Sequence, residues 1–437
     1  MSKKLLWIFL AASATMSVNA RDLKSEIAEN PAKAAGYYTP YSFDGTAQTP
    51  APAGYEPIYI SHYGRHGSRW MTYEEDYTNV LDVFDKAAAE NALTPLGKDI
   101  HKRVKTLADD GKFRAGALSP LGYKQHKGIA RRMFDNYPAL FADSAKINAR
   151  ATVIIRCVNS MASFCEGLKE KNPDLSITRE ATLRTTSPLE FYYSKCNVIT
   201  PELRSLWDKG VFNYKTDSLL DTHINTDAKL SALFTKPIVT DPAAKRTLLL
   251  NMFYLSQDAP NVGLDINFND LFTPEDLYWY AVSENYRCYN KRGPAPESAN
   301  INLHYAKVLL NDFITYADDA LASGDRVADL RFGHDINIMT FVPLLQIGGY
   351  DMIETDIEKI GNEWDIAKIT PMAANIQFVF YRKPGKKSDT LVKVLHNEKE
   401  VSLPLKGKGP YYKWDDVKKY YLKRMADIIP GQRVIRS

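Results

Sequence analysis

Cysteine is scarce in this 437-residue chain, with four residues at positions 157, 165, 196 and 288. Their spacing forms neither a CxxC pair nor a zinc knuckle, which excludes a cysteine-based zinc or dithiol module. Two roles are left for Cys157, Cys165, Cys196 and Cys288: disulfides, in any of three pairings, or buried structural thiols. An excess of one charge is also missing, since 56 Lys and Arg face 52 Asp and Glu for a net +4. Nucleic-acid binding therefore gains no support from charge. A P-loop, HExxH, GxSxG and a GxGxxG opening a helix are all absent, which removes the nucleotide-triphosphatase, zinc-protease, serine-hydrolase and dinucleotide-binding readings that rest on them. No internal repeat or low-complexity tract is visible. At 45% hydrophobic and 25% charged, the composition is that of a folded globular protein.

What is present begins with residues 1–20. Lys3 and Lys4 precede an apolar stretch from Leu5 to about Ala12, and small residues lead to Val18-Asn19-Ala20, the pattern of a secretory signal peptide cleaved after Ala20. The apolar part is shorter than the roughly 20 residues that span a bilayer, so no membrane span is expected after cleavage. Losing two lysines leaves 54 basic against 52 acidic residues. The predicted location is the periplasm or beyond.

Residues 57–63, PIYISHY, predict a short buried strand that meets Gly64 and the loop RHGSR. Helical spacing follows through Tyr77, Val80, Leu81 and Phe84, and again through Ile100, Val104 and Leu107. Ser119 suits an N-cap and Pro120 the first position of the next helix. A second strand is predicted over 151–156, ATVIIR, running into a helix through Phe164 and Leu168. From Asn197 to Ser298 the text offers helices and no clear strand, and Ser298 is positioned to cap a long helix through Leu309, Phe313 and Ala317. A third strand, Val327 to Phe332, meets Gly333-His334-Asp335 and a helix. The C-terminal part reads as a strand at 374–382 and a hairpin turning at Asn397-Glu398. This order predicts an α/β fold: a central mixed, mostly parallel sheet flanked by helices, with an inserted helical cap. The expected division is signal peptide 1–20, core 21–196, cap 197–298 and core 299–437.

Three strand-to-helix junctions carry the unusual polar residues: Arg65, His66 and Arg69; Arg156; His334 and Asp335. Ligands bind beyond the carboxyl ends of strands in open α/β sheets, so one shared site is expected. Converging guanidinium groups repel unless an anion shares their field, and their planar fork suits phosphate or carboxylate oxygens. A histidine among them loses affinity for a proton, and a neutral imidazole beside bound phosphate is a nucleophile. Taken singly, each residue has an ordinary use: Asp335 as an N-cap, Arg156 as a surface or salt-bridged arginine, His66 as a turn residue. His62 and His66 stand four apart, but Gly64 and Gly67 argue against the helix that a zinc pair needs, so no metal site is assigned.

RHGSR after a strand, LSPLGYKQH, Arg156 followed by Ser160, and the late GHD together resemble the histidine phosphatase superfamily, in its acid phosphatase and phytase branch. The likeness runs from about Tyr55 to Pro404, and the SRW continuation is nearest to multiple inositol polyphosphate phosphatases. Two features depart from that group: His334-Asp335 stands where it commonly has His-Ala-Glu, and the proline often found behind RHGxR is absent after Trp70. The resemblance implies that His66 attacks phosphorus, that Arg65, Arg69, Arg156 and His334 bind the phosphate, and that Asp335 gives a proton to the departing alcohol. It implies no cofactor and no metal. The substrate is then a phosphorylated small molecule, with phytate and related inositol polyphosphates first. The alternatives are a broad acid phosphatase acting on sugar phosphates or nucleotides, and a non-catalytic protein binding phosphate esters or glycans. Oligomeric state is not legible.

Overall fold

The computed structural model describes residues 22–192, 200–202, 205, 211–386, 389–407 and 409–431. The expected signal segment and Cys196 lie outside them. Eight strands form one mixed sheet: β1 (Glu56–Arg65), β2 (Lys146–Ala151), β3 (Ser176–Ala181), β4 (Ala328–Gly333), β5 (Asn375–Arg382), β6 (Thr390–His396), β7 (Lys399–Glu400) and β8 (Tyr412–Lys413). Their order is β3-β2-β4-β1-β5-β6-β7, with β8 on β6. The β3-β2-β4-β1 half is parallel, and the β5 to β8 half is antiparallel and about as large. Helices cover both faces, as a parallel sheet buried on two sides requires. On one face α4 (Pro120–Asn136) and α5 (Ile155–Lys169) pack Ile129, Met133, Phe164 and Leu168 against Ile60, Leu330 and Phe332. On the other, helices Ile301–Ser323, Asp335–Leu345 and Trp414–Asp427 bury Leu309, Phe313, Phe341 and Trp414 against Phe378 and Phe380.

Local chemistry places several boundaries where the sequence predicts them. Ser119 caps α4, accepting from the Gly122 N–H at 3.3 Å, with Pro120 at the first turn. Asn397 and Glu398 both hold positive φ, 51° and 65°, as the two central residues of a tight hairpin must.

Two expectations are corrected. The second strand is Lys146–Ala151, not 151–156: Thr152 leaves the sheet and Ile155 already starts α5. The β-branched run drew the prediction C-terminally, whereas the strand itself buries Ile147 and the small side chains of Ala149 and Ala151, and Val153 and Ile155 face solvent. Ser298 does not cap the long helix. That helix starts at Ile301 behind Asn300 in a left-handed conformation, and the Ser298 hydroxyl turns back to the Ala295 carbonyl. Edge strand β3, with few apolar residues, gave no signal.

Between residues 211 and 298 the described elements are helical, Val211–His223, Thr226–Leu233, Pro242–Asp258 and Pro274–Arg292 among them. They share an apolar core with α2 (Glu75–Ala89), α3 (Pro95–Gly111) and the N-terminal α1 (Leu23–Glu29), through Phe84, Val104, Phe253, Leu277 and Ile27. Cys157, Cys165 and Cys288 are buried free thiols, so the structural role holds for these three. Among the described residues no helix is long and apolar enough to cross a membrane.

Candidate active site

The sheet register assembles the site. Arg65 at the end of β1 pairs with Gly333 at the end of β4, and Ala151 at the end of β2 pairs with Phe332. Three neighbouring parallel strands therefore end together, and the residues that follow them, His66, His334 and the start of α5 with Arg156, leave the sheet on the same side. Two of the helices that begin there, at Ile155 and Asp335, add the positive ends of their dipoles to the same region.

The loop that follows β1 is pinned through its backbone. The His66 N–H donates to the Gly333 carbonyl at 2.9 Å, and its own carbonyl accepts from Ala373 at 2.9 Å. The Gly67 N–H donates to Ser160 Oγ at 3.1 Å. A Cβ on Gly67 would meet the Gly122 backbone at 2.7 Å, so only glycine lets the loop lie this close to the start of α4. The His66 ring is buried, with Nδ1 2.9 Å from the Gly67 carbonyl. A carbonyl oxygen only accepts, so Nδ1 carries the hydrogen and Nε2 the lone pair.

Arg65 is fully buried. Its Nη1 donates to the carbonyls of Tyr37 and Thr370, each at 2.6 Å. Its Nη2 stands 3.8 Å from Asp335 Oδ2. Arg69 donates from Nη1 to the Trp70 carbonyl at 2.8 Å and lies over the Tyr38 ring, 5.5 Å from its centroid. Arg65 Nε and Nη2, Arg69 Nε and Arg156 Nε are buried without a hydrogen-bond acceptor among the described residues. Buried cationic donors left this way call for an anion. Arg156 makes no ion pair among the described residues, so its salt-bridge reading fails. Asp335 is not the N-cap: His334 holds that position with extended backbone, and Asp335 is the first helical residue.

His334 is fixed by its neighbours. Its N–H donates to the Tyr63 hydroxyl at 3.0 Å, its Nε2 lies 3.2 Å from Thr152 Oγ1, and the buried Cys157 thiol sits 3.6 Å from the same nitrogen. Burial, then the charges of Arg156, Arg65 and Arg69 and the neighbouring His334, hold the His66 imidazole well below its usual pKa. Burial and Arg156 push His334 down to about 3. Burial raises Asp335, but Arg65, His334 and Arg69 outweigh it and leave the carboxyl below its ordinary value. The site thus holds neutral imidazoles, guanidinium cations and one carboxylate whose side chain is 21% exposed.

All six residues singled out in the sequence meet here. Sequence reasoning missed two buried carboxyls beside them. Asp258 is pushed up to about 7 by burial against the opposing pull of Arg69. Glu190, at the end of α6 (Leu183–Leu189), is raised to about 7 by burial against Arg292 and Arg156. Neither stands in a motif, so no local signal could have found them. His62 packs on Phe164 and Phe332, away from any ligand set. Among the described residues no group of three His, Cys, Asp or Glu is arranged to hold a metal ion.

The family described as the histidine phosphatase superfamily, branch 2, matches residues 64–397. Multiple inositol polyphosphate phosphatase 1 of Gallus gallus is 23% identical over 301 residues, which cover 65% of this chain and 64% of that protein. The chain thus aligns with less than two thirds of this curated relative. The structure of a multiple inositol polyphosphate phosphatase of Bifidobacterium longum, in complex with inositol hexasulfate, superposes with a TM-score of 0.76 at 18% identity over 92% of this chain and 100% of that one. The phytase from D. castellii gives a TM-score of 0.69 at 15% identity, over 91% and 86%. At these identities the two structures establish a shared fold.

Proposed function

The chain belongs to branch 2 of the histidine phosphatase superfamily, whose members are phosphoric monoester hydrolases, and from this premise we propose that it is an exported, metal-independent phosphomonoesterase acting on inositol polyphosphates through a phosphohistidine at His66. The observation that carries the reading is a neutral, lone-pair-bearing imidazole held against Arg65, Arg69, Arg156 and His334. The names of the relatives, which refer to inositol polyphosphates and phytase, direct the choice of substrate.

In this mechanism the three guanidinium groups and His334 take the non-bridging phosphate oxygens and spread the charge that develops in transfer, the task a metal ion performs elsewhere. His66 Nε2 attacks phosphorus as the phosphorus–oxygen ester bond breaks, and Asp335 protonates the leaving alkoxide. Asp335 then takes a proton from the water that cleaves the phosphorus–nitrogen bond, restoring both groups. The free site keeps this carboxyl ionised; an incoming phosphate dianion cancels the arginine field and lets it take up the proton it must give. In this reading the helices described between 211 and 298 belong to the cap expected over 197–298, and residues 1–20 direct export to the periplasm or beyond.

A broad acid phosphatase is the second reading, and one observation favours it. Val153 and Ile155, which precede Arg156 in the chain, and Tyr73, whose hydroxyl acts electrostatically on Arg156, are exposed large side chains without charge, better suited to a weakly charged leaving group than to further phosphates. Purified protein incubated with p-nitrophenyl phosphate and EDTA across mildly acidic to neutral pH should release nitrophenol. No release would favour a binding protein, and release abolished by EDTA would refute the metal-free mechanism. Relative turnover of phytate, glucose 1-phosphate and AMP decides between the two enzymatic readings.

A further inference from the structure

Ser68 is the fourth residue of RHGSR, and all of its polar groups are committed. Its N–H donates to Gln125 Oε1 at 2.8 Å, its carbonyl accepts from the Ser119 N–H at 2.9 Å, and its hydroxyl accepts from Gln125 Nε2 at 2.9 Å and donates to Asn261 Oδ1 at 2.6 Å. Asn261 comes from the single turn Ala259–Val262 that follows the helix Pro242–Asp258, far along the chain, and is fully buried. Its other end donates from Nδ2 to the Tyr38 carbonyl at 2.7 Å, and its backbone carbonyl accepts from the Ser119 hydroxyl at 2.6 Å.

These contacts converge on Arg69 from two directions. Ser68 is the residue before it, and Tyr38 supplies the ring on which its guanidinium rests. We infer that Asn261 is a positioning residue for Arg69: by holding Ser68 through Oδ1 and Tyr38 through Nδ2, it sets where the guanidinium meets the phosphate. The helical segment then takes part in phosphate binding itself, in addition to walling the site. In a buried network of this kind a lost partner leaves the others unsatisfied, so the effect of removal reaches past the deleted atoms. Displacing a charged group by about 1 Å is enough to cost about 100-fold in rate.

This inference rests on the phosphate-site reading above, and its test keeps the two apart by measuring the binding of inorganic phosphate calorimetrically beside turnover of p-nitrophenyl phosphate. Asn261→Ala and Ser68→Ala should each weaken phosphate binding by about tenfold, with kcat/KM falling by at least as much, and the double variant should lose little more than either single one. Asn261→Asp keeps the acceptor for Ser68 but cannot donate to Tyr38, so it should also bind phosphate more weakly. Phosphate affinity within about twofold of the wild type in Asn261→Ala, or losses that multiply in the double variant, would overturn the assignment. If Asn261→Ala does not melt cooperatively, unchanged affinity in Ser68→Ala overturns it equally. Wild-type protein that binds phosphate without releasing nitrophenol would count against the phosphatase reading and leave the role of Asn261 to the binding data.

Discussion

The imidazole rings of His66 and His334 lie 5.8 Å apart, one edge toward the other at 71°. They follow paired residues at the ends of β1 and β4, so the separation is a consequence of strand register. Both are neutral in the free protein, and a neutral second imidazole can donate to phosphate oxygen without taking the proton that the nucleophile must lack. This pairing makes each role testable separately.

Replacing His66 by alanine removes the nitrogen that forms the covalent bond and leaves the guanidinium groups in place. Turnover of both p-nitrophenyl phosphate and phytate is expected to fall by more than about 10⁴-fold. Inorganic phosphate should still bind. Retained turnover would show that another group attacks phosphorus.

Asp335→Asn tests proton donation. Nitrophenolate leaves readily without a proton, whereas an inositol alkoxide does not, so loss on phytate should be about 10² to 10⁴-fold and loss on p-nitrophenyl phosphate under about tenfold. Equal losses on the two substrates would assign Asp335 some other task, such as holding Arg65.

Asp258 supplies a pH dependence with a definite sign. Its folded pKa is about 7, above the unfolded carboxyl value, so the folded state holds more protons. Its contribution to stability is therefore full below the unfolded pKa and is lost as pH rises through about 7. Asp258→Asn should flatten the fall in melting temperature over that interval. Above pH 7 the wild-type carboxylate also competes with phosphate for Arg69, so the variant should keep its phosphate affinity at higher pH than the wild type. Parallel profiles for the two proteins would remove Asp258 from the site.

Gly67→Ala places a methyl group where the Gly122 backbone already stands. The loop must move, and with it His66 and Arg69. We expect kcat/KM to fall by about 100-fold, together with a lower melting temperature, measured on the same preparation. Unaltered kinetics would mean that the loop and α4 separate without cost.

The expected site residues were legible because each occupied a recognisable junction. RHGSR and GHD are unusual as strings, and the strand before each is apolar enough to read. Arg156 was found at a junction whose strand was placed about five residues too late, because Val153, Ile154 and Ile155 resemble a strand and Lys146–Ala151 does not. Its place in the site survived the error, since the start of α5 follows β2 closely. Asp258 and Asn261 are ordinary residues at the end of an ordinary helix. Tyr37 receives Arg65 through its backbone carbonyl, a contact that no side-chain pattern encodes.

What this sequence determined by itself is chemistry that acts within a few residues: the cap at Ser119, the positive-φ turn at Asn397-Glu398, the glycine at 67, and the crowding of Arg65 and Arg69 around His66. Tertiary structure alone decided that Gly333 would pair with Arg65, that a turn near residue 260 would grip Ser68, and which carboxyls would be buried beside the arginines. The reason is range. Capping and turn preferences are local energies, whereas strand register and the burial of a distant carboxyl depend on closing long loops and filling a common core, to which every segment contributes and which none specifies alone.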